Sequence, residues 1–156
     1  MTNKVILVFF KIMNFIPPQG PPQTSAPKLY PILGEENIRK LLYFHYKNLS
    51  ESEIKNLFPQ EEEQIKISAD KNADFFIQVL GGPPYFSQKY GAPMMRARHL
   101  KFPITYQARN VWLDCFFRAI EQLKKELGED SGFTKEIEVS FKDFLRSFSE
   151  WMVNTQ

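Results

Sequence analysis

The chain has one cysteine, two histidines and no hydrophobic run long enough to cross a bilayer. A single cysteine excludes an internal disulfide and suits a reducing compartment, the cytoplasm being the expected location. The longest apolar stretch, Val5 to Ile16, is interrupted by Lys11 and Asn14 and is shorter than the roughly 20 residues of a membrane-spanning helix. No clear small-x-small cleavage site follows it, which weakens an export signal and leaves attachment to a membrane or partner as the lesser alternative. Net charge is only +2, with basic and acidic residues interspersed, so nothing points to nucleic acid. Alternating β-branched stretches and internal repeats are also missing, which argues against sheet and solenoid architectures.

What the chain does have is aromatic mass: fifteen phenylalanines, six tyrosines and two tryptophans in 156 residues. That is enough for one well-filled core and suits a flat apolar cofactor, although aromatic residues are also plain core material. The segment Pro17 to Pro27 (PPQGPPQTSAP) reads as a proline-rich linker. Residues 1–27 are therefore expected to be an extension and residues 28–156 the folded domain. Within that domain, helical periodicity is clear. From Gly34, the residues Ile38, Leu41, Leu42, His45 and Leu49 share a face. A second helix, Glu62 to Leu80, would turn Ile65, Ser68, Asn72, Phe75, Phe76 and Val79 inward and stop at Gly81-Gly82-Pro83-Pro84. Residues 84–102 read as irregular chain with one short helix under His99. The spacing predicts a third long helix over 105–127, with Trp112, Cys115 and Phe116 inward. A fourth, over 134–153, would bury Phe141, Phe144, Leu145, Phe148 and Met152. Periodicity alone yields an all-α chain with one core.

The most informative segment is Gly81 to Trp112, GGPPYFSQKYGAPMMRARHLKFPITYQARNVW. His99 follows Arg96-Ala97-Arg98 and is flanked by apolar residues, with no Ser-His-Asp or Cys-His grouping beside it. Such an imidazole suits axial ligation of a haem iron, with rings packing on the porphyrin and arginines pairing with its propionates. Taken without its neighbours, the same histidine reads as an ordinary core or surface residue. The ordered set Gly81-Gly82-Pro83-Pro84, Tyr90-Gly91-x-Pro93, Arg96-x-Arg98-His99-x-x-Phe102-Pro103-Ile104 and Arg109-x-x-Trp112 closely resembles the truncated haemoglobins, most of all their second subgroup. The likeness runs from about Leu29 to the C-terminus.

The resemblance implies a globin-like two-over-two helical sandwich and a haem b (iron protoporphyrin) cofactor held by His99. It selects Tyr46 over Tyr43 as the distal tyrosine, a choice periodicity leaves open, and matches Trp112 to a second distal donor. Dioxygen bound there carries partial negative charge, so a phenol and an indole N–H can each donate to it. Ser68 falls at a position where a small residue leaves access to iron. Asn72 falls where relatives often carry glutamine or leucine and is shorter by a methylene; both residues can instead bond to their own helix backbone. Phe58, Phe75, Phe76, Leu100, Phe102 and Met152 are the expected apolar haem contacts, with the placement of Phe58 shifted by one missing residue after the first helix. Arg98 is the expected propionate partner, with Arg96 or Lys71 assisting and Lys101 as a third cation where relatives often have proline. His45 is read as structural and Cys115 as a small hydrophobe.

The function implied is binding of dioxygen, nitric oxide or carbon monoxide at iron. Two or three donors predict slow oxygen release, which favours nitric oxide dioxygenase or peroxidase-type chemistry over bulk delivery. Turnover would need an external electron donor, which the sequence does not identify. The alternatives are a haem-based sensor or redox partner that uses residues 1–27 for attachment, and a haem-free helical interaction protein.

Overall fold

The computed structural model describes residue 22 and residues 24–156. Residues 1–21 and 23 of the expected extension lie outside the described residues. Every regular element among the described residues is helical: α1 (Tyr30–Ser50), α2 (Glu62–Val79), α3 (Tyr85–Tyr90), α4 (Met95–Arg98), α5 (Tyr106–Lys124) and α6 (Lys135–Met152), with a single 3₁₀ turn at Lys55–Leu57. The α1–α2 pair packs on the α5–α6 pair, chiefly through α1 against α5. The result is an all-α, two-over-two helical sandwich. None of the described helices is long and apolar enough to cross a membrane.

The apolar stripes determine this packing. Ile38, Leu41, Leu42 and Leu49 of α1 are buried, as are Phe141, Phe144, Leu145, Phe148 and Met152 of α6. Phe116 of α5 stands edge-on to Phe141 of α6 in its own layer, ring centroids 5.8 Å apart, and meets Phe76 of α2 across the layers at 5.3 Å. Each such side chain contributes roughly 1.5–3 kcal/mol relative to exposure. Thr105 and Thr134 start α5 and α6 by accepting the Ala108 and Ile137 N–H groups at 3.0 and 3.3 Å, which satisfies donors the helix leaves open.

Three local features differ from the expected pattern. First, α1 begins at Tyr30, ahead of Gly34, which interrupts it at φ 75°, ψ 169°. That conformation is open to glycine and strained for other residues, so what periodicity reads as a helix start is a kink inside a longer element. Second, residues 84–102 hold two short helices, where one was expected. Third, the buried stripe of α2 is Ile65, Ala69, Ala73, Phe75, Phe76 and Ile77, together with a carboxylate, Asp74. Val79 and Ser68 are only partly buried.

Asp74 is a junction between elements. Arg39 of α1 and Lys89 of α3 each approach it at 2.9 Å while only 3% of its side chain is exposed. Burial pushes the carboxyl up, but the bonds from Lys89 and Arg39 outweigh it and hold the pKa below the ordinary value. The charged form therefore ties the far end of α2 to both neighbours.

Gly82 is needed for lack of space. A Cβ there would lie 2.6 Å from the Tyr30 ring and 2.8 Å from the Ile77 carbonyl oxygen, to which the Gly82 N–H already donates at 2.8 Å. Gly82→Ala is expected to cost about 1–3 kcal/mol through overpacking against backbone that cannot give. A thermal melt checks it: an unchanged midpoint would mean the turn relaxes freely.

Candidate functional site

A cleft opens between the layers, bounded by the end of α1, the turn at Lys55–Leu57, α2, α4, α5 and α6. Its walls include Tyr46, Phe58, Phe75, Phe76, His99 and Trp112, and its volume is about 700 Å³, counting the part open to solvent. Asn72 and Met152 line it too.

His99 follows the one-turn helix α4. Its Nδ1 lies 2.6 Å from the Met95 carbonyl oxygen. A carbonyl only accepts, so Nδ1 carries a proton, and in the neutral ring Nε2 is then a lone pair, with no partner among the described residues. This is the tautomer and second-shell bond that metal-ligating histidines use. The loop that follows is pinned by Asn154: its Nδ2 donates to His99 O and Phe102 O at 3.2 and 3.0 Å, and its Oδ1 accepts from Ile104 N at 3.0 Å. Arg96 adds bonds from Nε and Nη2 to Trp151 O and Val153 O at 2.9 and 3.2 Å. The last turn of α6 and the chain just past it thus hold the His99 turn in place, a role that spacing near His99 does not announce.

Tyr46 is on the same side of α1 as Leu42 and Leu49 and is 8% exposed. Burial raises its phenol pKa well above the ordinary range, with the Asn72 side chain beside it pulling weakly the other way. It is therefore protonated, and a donor, at any physiological pH. Tyr43 is directed elsewhere, donating to Glu62 at 2.7 Å. The Trp112 ring lines the cleft, and its indole N–H meets no acceptor among the described residues. Phe58 stands edge-on to Tyr46 at 5.8 Å. Phe75 and Phe76 contact each other at 5.3 Å, and both contact Phe148.

Other expected site residues are placed differently. Ser68 does not line the cleft; its carbonyl accepts from Asn72 Nδ2 at 2.9 Å. The Asn72 amide is thus tied to its own helix, as the backbone alternative requires, while its side chain still reaches the cleft wall. Leu100 and Phe102 are 57% and 41% exposed and lie in an adjoining groove. Arg98 donates from Nε to Pro93 O at 2.6 Å and from Nη2 to Tyr90 O and Ala92 O, each at 2.8 Å. It braces its own loop, leaving only Nη1 for another anion. Ile54, Leu57, Ile104, Ala108, Arg109 and Ser149 also line the cleft. No periodic signal marks them, because most belong to a turn, a loop or helix ends.

His45 lies behind this wall, 1% exposed, packed 4.9 Å from Trp112 and 4.3 Å from Phe116. Its Nε2 is 3.1 Å from Trp112 O, and its Nδ1 has no partner. Loss of hydration lowers its pKa from 6.5 to about 3, with the bond to Trp112 O opposing only weakly. Below about pH 6.5 the unfolded chain takes a proton that the folded chain refuses, so stability is full above that pH and falls as pH drops toward about 3. Asp74 and Glu138, both with lowered pKa values, lose their contribution only at lower pH. His45→Phe is expected to flatten the loss of stability between about pH 6.5 and pH 5, read from urea midpoints. Equal losses in both proteins would remove His45 as the cause.

The arrangement can hold a flat, largely apolar ligand through one imidazole, with two donors set among aromatic walls. Among the described residues no three of His, Cys, Asp or Glu converge on a metal site. A metal at His99 would take its remaining ligands from a macrocycle. The residues fit such a group: a lone pair on Nε2, ring-lined walls, and exposed Leu100 and Phe102 at the rim.

This chain belongs to the bacterial-like globin family, which matches residues 28–143. It is similar to the Group 2 truncated hemoglobin YjbI of Bacillus subtilis (strain 168), with 37% identity over 98 residues, 62% of this chain and 72% of that one. The crystal structure of phosphate-bound Hell's gate globin IV aligns with TM-score 0.76 and 35% identity, covering 90% of this chain and 81% of that one. The X-ray structure of truncated oxygen-avid haemoglobin from Bacillus subtilis aligns with TM-score 0.69 and 32% identity, covering 80% and 98%.

Proposed function

We propose that residues 28–156 form a haem-b domain that binds dioxygen and related diatomic ligands, His99 being the proximal ligand. The observation that carries this reading is the His99 ring, locked by Met95 O so that a bare Nε2 belongs to a cleft shared with Tyr46 and Trp112. When bound, the haem would supply an iron able to take a diatomic ligand. Tyr46 and Trp112 donate toward that ligand. Phe58, Phe75, Phe76 and Met152 would exclude water around the ring, and Leu100 and Phe102 would offer it an apolar margin. Asn72 stands beside Tyr46 at the α2 wall, and Ser68, off the cleft, takes no part. Arg98 has Nη1 free for a propionate.

Two donors aimed at one ligand make release slow, which suits oxidation of nitric oxide or reduction of peroxide more than delivery. Electrons would come from outside the domain. A buried, unpaired Cys115 is compatible with the cytoplasm. Titrating the apoprotein with hemin tests the reading: one equivalent should give a Soret band that shifts when the reduced protein meets carbon monoxide. Failure to bind hemin stoichiometrically would remove it.

A further inference from the structure

Between Asp74 and Asp114 the chain has no acidic residue and five cationic ones: Lys89, Arg96, Arg98, Lys101 and Arg109. The fold gathers part of this excess at one place. A groove adjoins the cleft, sharing Asn72, Met95 and His99 with it, and its other walls include Lys71, Arg98, Leu100, Lys101 and Phe102. No carboxylate lines the groove. Lys71 Nζ sits 4.6 Å over the Tyr90 ring, Lys101 Nζ 5.4 Å over Phe102, and Arg98 5.1 Å over Phe86. These cations rest on aromatic faces and carbonyls, none of which cancels a full charge. Elsewhere lysines meet acids, as Lys124 and Lys142 do at Glu138. The mouth of the cleft is therefore a cationic ring around exposed Leu100 and Phe102, the layout of a protein contact with an apolar centre and charged rim.

Resting on the haem reading above, we infer that this rim is the docking surface for the electron donor, a small redox protein with an acidic face. An electron reaches a buried cofactor most readily where its edge approaches the surface, and here that edge would emerge among cations. Two propionates would neutralise two charges, so Lys71, Arg98 and Lys101 leave a surplus. In the transfer, the reduced donor loses one electron and ferric iron gains it. No bond forms or breaks and no proton is required. The positive rim steers an anionic partner and weakens with salt.

The test uses the haem-loaded protein and two small one-electron reductants, the iron(II)–EDTA dianion and the hexaammineruthenium(II) dication. Stopped-flow reduction by the dianion should slow as salt rises, and reduction by the dication should quicken. The double variant K71E/K101E should slow the dianion about tenfold at low salt and reverse its salt dependence. K125E, far along the chain and without an ion pair, should change neither. Carbodiimide coupling to an acidic flavodoxin, mapped by mass spectrometry, should join Lys71 or Lys101 and leave Lys125 unjoined. Equal salt behaviour of the two reductants, an unaltered double variant or scattered cross-links would overturn the inference. So would capture by phosphatidylglycerol vesicles without flavodoxin cross-links, which would make the rim a lipid contact. A missing Soret band would instead reject the haem reading itself.

Discussion

His99→Ala is expected to leave the fold intact and abolish histidine ligation of the cofactor. The ring is only partly buried, and its one bond, to Met95 O, lies within its own turn, so far-ultraviolet circular dichroism should barely change. The Soret band and its shift with carbon monoxide should be lost or strongly altered. Free imidazole should restore them, since deleting the ring leaves room for a replacement in the same cleft. The rescue separates ligation from folding: a variant that merely unfolded would not respond to imidazole. A His99→Ala protein with unchanged spectrum and ligand binding would mean that iron is held elsewhere.

Tyr46→Phe should raise the oxygen dissociation rate by roughly ten- to a hundredfold, since a hydrogen bond to a charged or partly charged acceptor is worth about 1.5–3 kcal/mol. The hydroxyl is protonated and buried beside Asn72, and phenylalanine keeps the packing against Phe58. Carbon monoxide, a poorer acceptor, should respond less. Combined with Trp112→Phe, the change should be non-additive, because two donors share one ligand. Unaltered oxygen release in Tyr46→Phe would exclude Tyr46 from the ligand's surroundings and leave Trp112 as the candidate.

The four long helices were legible because their apolar stripes repeat at 3.6 residues, and α6 shows every expected inward residue buried. Ser68 shows the limit of that reading. It was assigned to the inner face one position from Ala69, which is 3% exposed, and a one-residue step on a helix turns a side chain by about 100°. Asp74 escaped because its burial depends on Arg39 and Lys89, cations 35 and 15 positions away. Asn154 escaped for the same reason: it acts on His99 and Phe102 across 55 and 52 positions. The motif around His99 pointed to the ring that lines the cleft, whereas the backbone carbonyls that take up Arg96 and Arg98 have no sequence signature at all.

The acceptor for His99 Nδ1 is a main-chain carbonyl one turn upstream, where other histidine sites use a carboxylate. A carbonyl has no full charge, so it pulls weakly on the ring proton and leaves Nε2 a mild electron donor. A strongly donating axial ligand promotes O–O cleavage; a mild one favours reversible attachment. Because that acceptor is backbone, no single side-chain replacement deletes it. Sequence drift can recolour the cleft walls while the ring that would hold iron keeps a nearly constant electronic setting.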